Sequence, residues 1–337
     1  MNSEYKNLTF VLFGARGDLS KRYLLPALKN LGINPILISR NDYPNLNKII
    51  PKGGEIIFHL AIPPEGVFDA IKLISENFRK ENIKILLEKP FGKDLESAKN
   101  LALQIDEYFD PLQIYRVDHY LTKKSLQNLN GPKENIKALE IIASEKLDIE
   151  GRANFYEQTG ALRDFVQSHM LEMTAIALAG SFDLQKRYEV LKALSVVCDI
   201  SKNECVKRGQ YEGYREEVGN PRSTTETFVS INLVMGDIAI TLTTGKALNE
   251  KNTQIIFKYK NGGEEIFNIE HEIGAYEKVI EAAIKCEHNF FISEEEVLET
   301  WRILDSIQQS WKDSTKDLVI YPKGSTITDV LRDSREN

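Results

Sequence analysis

With 337 residues, 42% of them apolar and 28% charged, the chain is sized for about two globular domains. No apolar run is long enough to cross a bilayer, which excludes a membrane channel. Its 43 basic against 50 acidic side chains, a net charge of −7, argue against broad nucleic-acid binding. An anionic ligand therefore needs a local basic cluster. Cys198, Cys205 and Cys286 are odd in number and lack metal-ligand spacing, and the opening MNSEYKNLTF has no apolar signal core. The expectation is a cytoplasmic protein with no zinc, iron-sulfur or disulfide chemistry and no bound metal.

Short apolar runs then alternate with amphipathic stretches, the pattern of βαβ units in a parallel sheet. Strands are predicted over 9–13, 35–39, 55–61, 83–87 and 113–117, with helices over 19–30, 65–79 and 95–109. From residue 135 the strand candidates lengthen (136–144, 227–234, 238–243, 254–260), with helices over 159–179, 275–285 and 294–311. Strands without a helix between each pair indicate an antiparallel sheet with helices on one face. The fold class is an α/β Rossmann-type doubly wound domain over 1–126, then an α+β domain with a mainly antiparallel sheet over 127–337. The tail 332–337 is expected to fray.

Between the first strand and first helix lies a turn from Gly14 to Gly17. Such a turn lets backbone N–H groups approach a pyrophosphate at the positive end of a helix, although its Gly-x-x-Gly spacing also fits an ordinary tight turn. Where an NAD-selective site carries a carboxylate for the ribose 2′-hydroxyl, this chain has Ser39 and Arg40. A guanidinium there suits a 2′-phosphate, so NADP is the expected cofactor, with NAD left open by the nearby Asp42.

Asp118 and His119 end a predicted strand, where neighbouring side chains point to opposite faces, so the two are expected to do different jobs. If a helix begins there, His119 and Lys123 stand four apart on one face beside Tyr120, several donors for one phosphate. The helix from Gly160 carries an apolar stripe of Leu162, Phe165, Val166, Met170, Met173 and Ala177, which reads as core. Beside the stripe lie Asp164, Gln167, Ser168, His169 and Glu172. His169 is a candidate general base, because imidazole titrates near neutral pH. On an α-helix Asp164 and His169 differ by about 140° around the axis, so spacing alone does not bring them together.

The segments GARGDLSKR (14–22), LAIPP (60–64), EKPFGKDLESAKNL (88–101) and YRVDHYLTKKSLQNL (115–129) resemble, in order, the glucose-6-phosphate dehydrogenase family. So do EGRANFYEQTGALRDFVQSHMLE (150–172), RGQY (208–211), GKALNE (245–250), AYEKVIEAA (275–283) and EEVLETWRILDSI (295–307). The resemblance implies oxidation of glucose 6-phosphate at C1 to the 1,5-lactone with NADP. It assigns His169 as the base, Asp118 as the acid that orients and stabilises its imidazole, and Lys89 as the residue where cofactor and substrate meet. Pro90 is expected to give that lysine an unusual peptide geometry. His119, Tyr120 and Lys123 fall on phosphate-binding positions, Glu145 and Asp164 on sugar-hydroxyl positions, and Lys246 and Lys251 add contacts. On the cofactor side it implies Gly14, Ala15, Arg16, Gly17, Asp18, Leu19, Ser20, Lys21, Arg40, His59 through its backbone, Pro63 and Lys89. A homodimer is implied as well, with no nucleic-acid or membrane partner.

The chain is shorter than most members, trimmed between His119 and Glu145 and in the strand after TTETF. Arg16, Thr122 and Glu157 stand where a small hydroxyl residue, a glycine and an aspartate are usual. The trimming keeps two alternatives in view: an enzyme acting on another aldose or aldose phosphate, and a non-catalytic NADP-binding regulator. Retention of Asp118, His119, Lys123, Asp164 and His169 speaks against the regulator. His271 and His288 are expected at the surface, Trp301 and Trp311 in packing, and Glu294 to Glu296 on a solvated face.

Overall fold

A computed structural model describes residues 7–129, 131, 133–197, 205–270, 272, 274–312, 314–315 and 317–336. Cys198 and His271 lie outside them. Contacts divide the chain into two units, 1–123 with 272–298, and 124–271 with 299–337.

In the first unit, β1 (Leu8–Phe13) reads LTFVLF and buries its last four residues on both faces, as a parallel strand covered by helices on either side must. With β2 (Ile36–Ile38), β3 (Glu55–Leu60), β4 (Ile83–Leu87) and β5 (Ile114–Val117) it forms a parallel sheet ordered β5-β4-β3-β1-β2. The order reverses direction at β1/β3, the point of a doubly wound sheet where a crevice opens at the carboxyl ends of the strands. All five carboxyl ends lie on one edge.

The division by contacts differs from the contiguous one expected at residue 126 in that 272–298 return to this unit. Helix Ala275–Ile284 buries Tyr276, Val279, Ile280 and Ala283 in the core beneath β1 and β5. The short strand Phe291–Ile292 pairs antiparallel with β5. Burial of that apolar face against the parallel sheet outweighs sequence distance, because closing a longer loop adds only slowly to the entropic cost.

In the second unit, β6 (Ile136–Ser144), β7 (Ser195–Val196), β8 (Val206–Tyr211), β9 (Phe228–Met235), β10 (Ile238–Gly245), β11 (Asn252–Tyr259) and β12 (Glu264–Asn268) join the late strand Leu318–Tyr321. Their order is β12-β11-β6-β10-β9-β8-late strand, with β7 beside β9. Antiparallel pairs predominate; β6 with β10 and β8 with the late strand are parallel. The sequence β6 shows the alternating burial of a sheet with one covered face.

Helix Leu184–Ala193 was not anticipated, because only Arg187, Val190 and Leu191 are buried and the apolar stripe is too sparse to read; Asp183 caps it by accepting the Lys186 N–H at 3.0 Å. The tail expected to fray is helical from Ile327 to Glu336. Cys205 is disulfide-bonded, against the expectation of no disulfide chemistry, and Cys286 is a free, exposed thiol.

Candidate functional site

In the first unit the candidate residues gather because every parallel strand ends on the same edge. After β1 the chain turns at Gly14, whose φ of +80° lies in the left-handed region, and a Cβ there would press on the Ala61 carbonyl group, 2.8 Å from its carbon. The glycine turn is thus packed directly against the LAIPP turn at the reversal of strand order. Ser20 is buried, and its Oγ donates to the Gly14 carbonyl at 2.9 Å, so it braces the turn from within. Leu19 and Ala15 pack on the apolar core. Arg16, Gly17, Asp18 and Lys21 are exposed, with Asp18 paired to Arg22 at 2.9 Å.

At the end of β2, Asp42 Oδ2 accepts from both the Ser39 N–H (2.8 Å) and the Ser39 hydroxyl (2.6 Å). The Ser39 hydroxyl and backbone bonds hold the Asp42 carboxyl below its ordinary pKa. The carboxylate that left NAD open is therefore engaged in its own turn, while Arg40 and Arg16 are exposed. This arrangement fits a 2′-phosphate better than a bare ribose hydroxyl.

After β3 and β4 stand the LAIPP turn with Pro63, and Glu88-Lys89-Pro90. The Lys89–Pro90 peptide is cis, the unusual geometry expected there. His59 is fully buried, with Nε2 2.7 Å from Glu88 Oε1; its imidazole is committed inside the unit, which leaves only its backbone for a cofactor. The other Glu88 oxygen accepts from Tyr276 at 3.3 Å.

After β5 the chain makes turns where a helix was considered. Asp118, fully buried, accepts the Tyr120 N–H at 2.9 Å. The turns still cluster donors. Lys123 Nζ lies 3.4 Å above the Tyr120 ring centroid, and the His119 ring stacks on Tyr276 at 5.9 Å. Thr122, in the usual glycine position, is buried and donates to the carbonyls of His119 (3.0 Å) and Ala275 (3.2 Å). Burial, then the Glu88 charge, raises the Tyr276 pKa well above ordinary, keeping its hydroxyl a donor. Tyr276 was missed as an individual residue, although its AYEKVIEAA segment was legible.

In the second unit the segment Leu162–Met170 is a π-helix that continues as an α-helix over Leu171–Ala179. Hydrogen bonds from i to i+5 widen the turn, so residues five apart, Asp164 and His169, come onto one side instead of diverging as on an α-helix. The His169 ring is buried and meets Phe165 edge-on at 5.2 Å. Asp164 is half-buried.

Glu145, just beyond β6, forms an ion pair with Lys246, just beyond β10; the parallel pairing of these strands brings the two ends together. Lys246 Nζ also lies 5.2 Å from the Tyr156 ring centroid, and its carbonyl accepts the Tyr321 hydroxyl at 2.8 Å. Burial first, then the charges of Asp164 and Glu226, holds the Tyr156 pKa well above ordinary. Tyr156 and Tyr321 carried no polar signal that distinguished them from core aromatics. Lys251 is exposed. Glu157, in the usual aspartate position, accepts from Tyr214 (2.9 Å), Asn220 (2.8 Å) and Ser223 (2.8 Å), so its longer side chain is fully used.

Two surface expectations are corrected. His288 is half-buried and stacks on Tyr115 at 4.6 Å. Glu296 is fully buried as a cap that accepts the Ser293 N–H at 2.7 Å, and Glu294 pairs with buried Arg116 at 2.8 Å. An apolar-or-charged reading of the string cannot see that a helix start is turned inward.

The chain matches the family profile described as glucose-6-phosphate dehydrogenase, C-terminal domain, over residues 129–274 and 268–334. The profile described as glucose-6-phosphate dehydrogenase, NAD binding domain, matches over 37–128. A glucose-6-phosphate 1-dehydrogenase of Helicobacter pylori is 31% identical over 325 residues, 83% of this chain and 76% of the relative. The Dickeya dadantii enzyme of that name is 26% identical, covering 89% and 90%. A cytoplasmic isoform from Arabidopsis thaliana is 34% identical, and the match spans about half of its length, 47%. Among solved structures, glucose-6-phosphate 1-dehydrogenase from Mycobacterium avium superposes with a TM-score of 0.79 at 24% identity, covering 95% of this chain and 94% of that one. A glucose-6-phosphate dehydrogenase in complex with glucose 6-phosphate gives the same TM-score at 21% identity, covering 97% of each.

Proposed function

The chain belongs to the glucose-6-phosphate dehydrogenase family, and from that premise we propose that it oxidises glucose 6-phosphate at C1 to 6-phosphoglucono-1,5-lactone with NADP. The observation that carries this reading is the π-helical turn of the second unit, which sets a buried imidazole, His169, and a carboxylate, Asp164, on one side of a helix. NADP, when bound, supplies the hydride acceptor. Gly14 to Lys21, Pro63 and the His59 backbone would hold its pyrophosphate side, Arg40 and Arg16 its 2′-phosphate, and Lys89 the end nearest the sugar. The packed glycine turn and the engaged Asp42 fit that group.

His169 takes the C1 hydroxyl proton, and Asp118 is assigned to stabilising the resulting imidazolium. His119, Tyr120 and Lys123 take the phosphate. Asp164, Glu145, Lys246 and Lys251 take the hydroxyl side, where dedicated polar partners give strong discrimination between sugars. A cytoplasmic homodimer is part of this proposal.

The test is reduction of NADP followed by absorbance, with glucose 6-phosphate, unphosphorylated glucose and a panel of other sugar phosphates. Signal with glucose 6-phosphate alone supports the reading, equal signal with glucose favours a broader aldose dehydrogenase, and NADP binding without turnover of any sugar favours a regulator. His169→Asn should lose most turnover with little change in substrate KM; near-normal activity would remove His169 as the base.

A further inference from the structure

Glu226 lies in the TTETF corner that leads into β9, and nothing in the site as read from the sequence uses it. It is nine-tenths buried. Its carbonyl accepts the Ala161 N–H at 2.9 Å, and its carboxylate Oε1 accepts the Leu162 N–H at 2.9 Å. These donors stand at a helix start, where N–H groups have no partner of their own. Just before them Gly160 breaks the helix with φ 66° and ψ 173°, and a Cβ at that position would lie 2.8 Å from Glu226 Cδ and 2.9 Å from Oε2. Only a bare Cα lets the carboxyl group in.

The other side of the break is satisfied as well. The Gln158 carbonyl, which Leu162 would take if one α-helix ran on, accepts Arg163 Nη1 at 2.8 Å instead. Residues 160–163 therefore form a socket in which one distant side chain decides where the following helix begins. Burial raises the Glu226 pKa while the Leu162 N–H opposes it, so an uncharged acceptor of the same shape should serve.

We propose that Glu226 is a positioning residue: by occupying the Leu162 N–H it starts the π-helical turn at that residue and so sets Asp164 and His169 on one side. This rests on the role given to His169 above. Without the cap, Leu162 can bond back to Gln158 and the segment can relax toward α-helical spacing, where Asp164 and His169 stand about 140° apart.

The experiment compares Glu226→Ala, Glu226→Asp and Glu226→Gln in the full chain, by steady-state kinetics and by amide hydrogen exchange over 162–170. Glu226→Ala should lower kcat on the order of 10- to 100-fold, the scale of a misplaced catalytic group, with a much smaller change in KM. It should also speed exchange in that segment while the β6–β10 amides stay protected. Glu226→Gln, which keeps the acceptor oxygen, should restore both kcat and protection. If Glu226→Ala does not fold, Glu226→Asp withdraws the acceptor by one methylene and should show the same split. Unchanged kcat and exchange in the Ala or Asp variant, or equal loss in Gln and Ala, would overturn the proposal. Hydrogen exchange reports on the cap even if the unsubstituted protein turns over no sugar phosphate, so failure of the assigned function remains distinguishable.

Discussion

Replacing Gly14 by alanine should show how tightly the cofactor turn is built. The residue sits at φ +80°, and the new methyl would press on the Ala61 carbonyl and reach 3.1 Å from Ile62 Cγ2. Left-handed backbone costs alanine about 1–2 kcal/mol. The clash is with backbone, so the LAIPP turn must move and strain the Ala61 N–H bond to Phe13, 3.2 Å long, worth a further ~0.5–1.5 kcal/mol. Together these predict a loss of about 2–3 kcal/mol, a shift on the order of 1 M in the urea midpoint. Gly32, at φ +71° with nothing within 4 Å of its missing Cβ, isolates the conformational part. Gly32→Ala should cost only about 1 kcal/mol. Urea titration of both variants, with NADP binding followed by nicotinamide fluorescence in parallel, separates the terms: Gly14→Ala should weaken NADP by tenfold or more. A Gly14→Ala variant no less stable than Gly32→Ala and with unchanged NADP affinity would refute the packing of the two turns.

Arg40→Ala should raise the NADP KM by roughly 10- to 100-fold, the value of a charge-assisted hydrogen bond, and leave the NAD KM unchanged; equal effects on both cofactors in initial-rate assays would contradict the 2′-phosphate role. Arg187 and Glu172, both essentially fully buried and 3.9 Å apart, form a pair whose half-removal in Arg187→Ala should cost about 3–5 kcal/mol by chemical denaturation. Because burial raises the folded pKa of Glu226 above its ordinary value, the folded state holds its proton more tightly than the unfolded chain. Its contribution is complete below 4.5 and lost as pH rises through the folded value. Stability of the unsubstituted protein relative to Glu226→Gln should therefore fall as pH increases across that window, as urea titrations at a series of pH values would report.

The strands of the first unit were legible in the order of residues alone, because a parallel strand buried on both faces is a short apolar run, and β4 could be read to its ends. So were the residue types at the strand ends, Gly14, Arg40, Lys89 and Asp118, since local turn chemistry and family order are written in consecutive positions. Tertiary structure decided what distant segments do to one another within each unit. Helix Ala275–Ile284 returns to the parallel sheet and lays Tyr276 against His119 and Glu88. Glu296 turns inward although it sits in a run of acids. Most tellingly, the angle between Asp164 and His169 could not be read from their spacing, because the segment is π-helical where an α-helix was assumed, and its first N–H, on Leu162, is taken by Glu226, 64 positions away. A one-dimensional pattern assumes the α-helical period and carries no record of a non-local acceptor at the helix start.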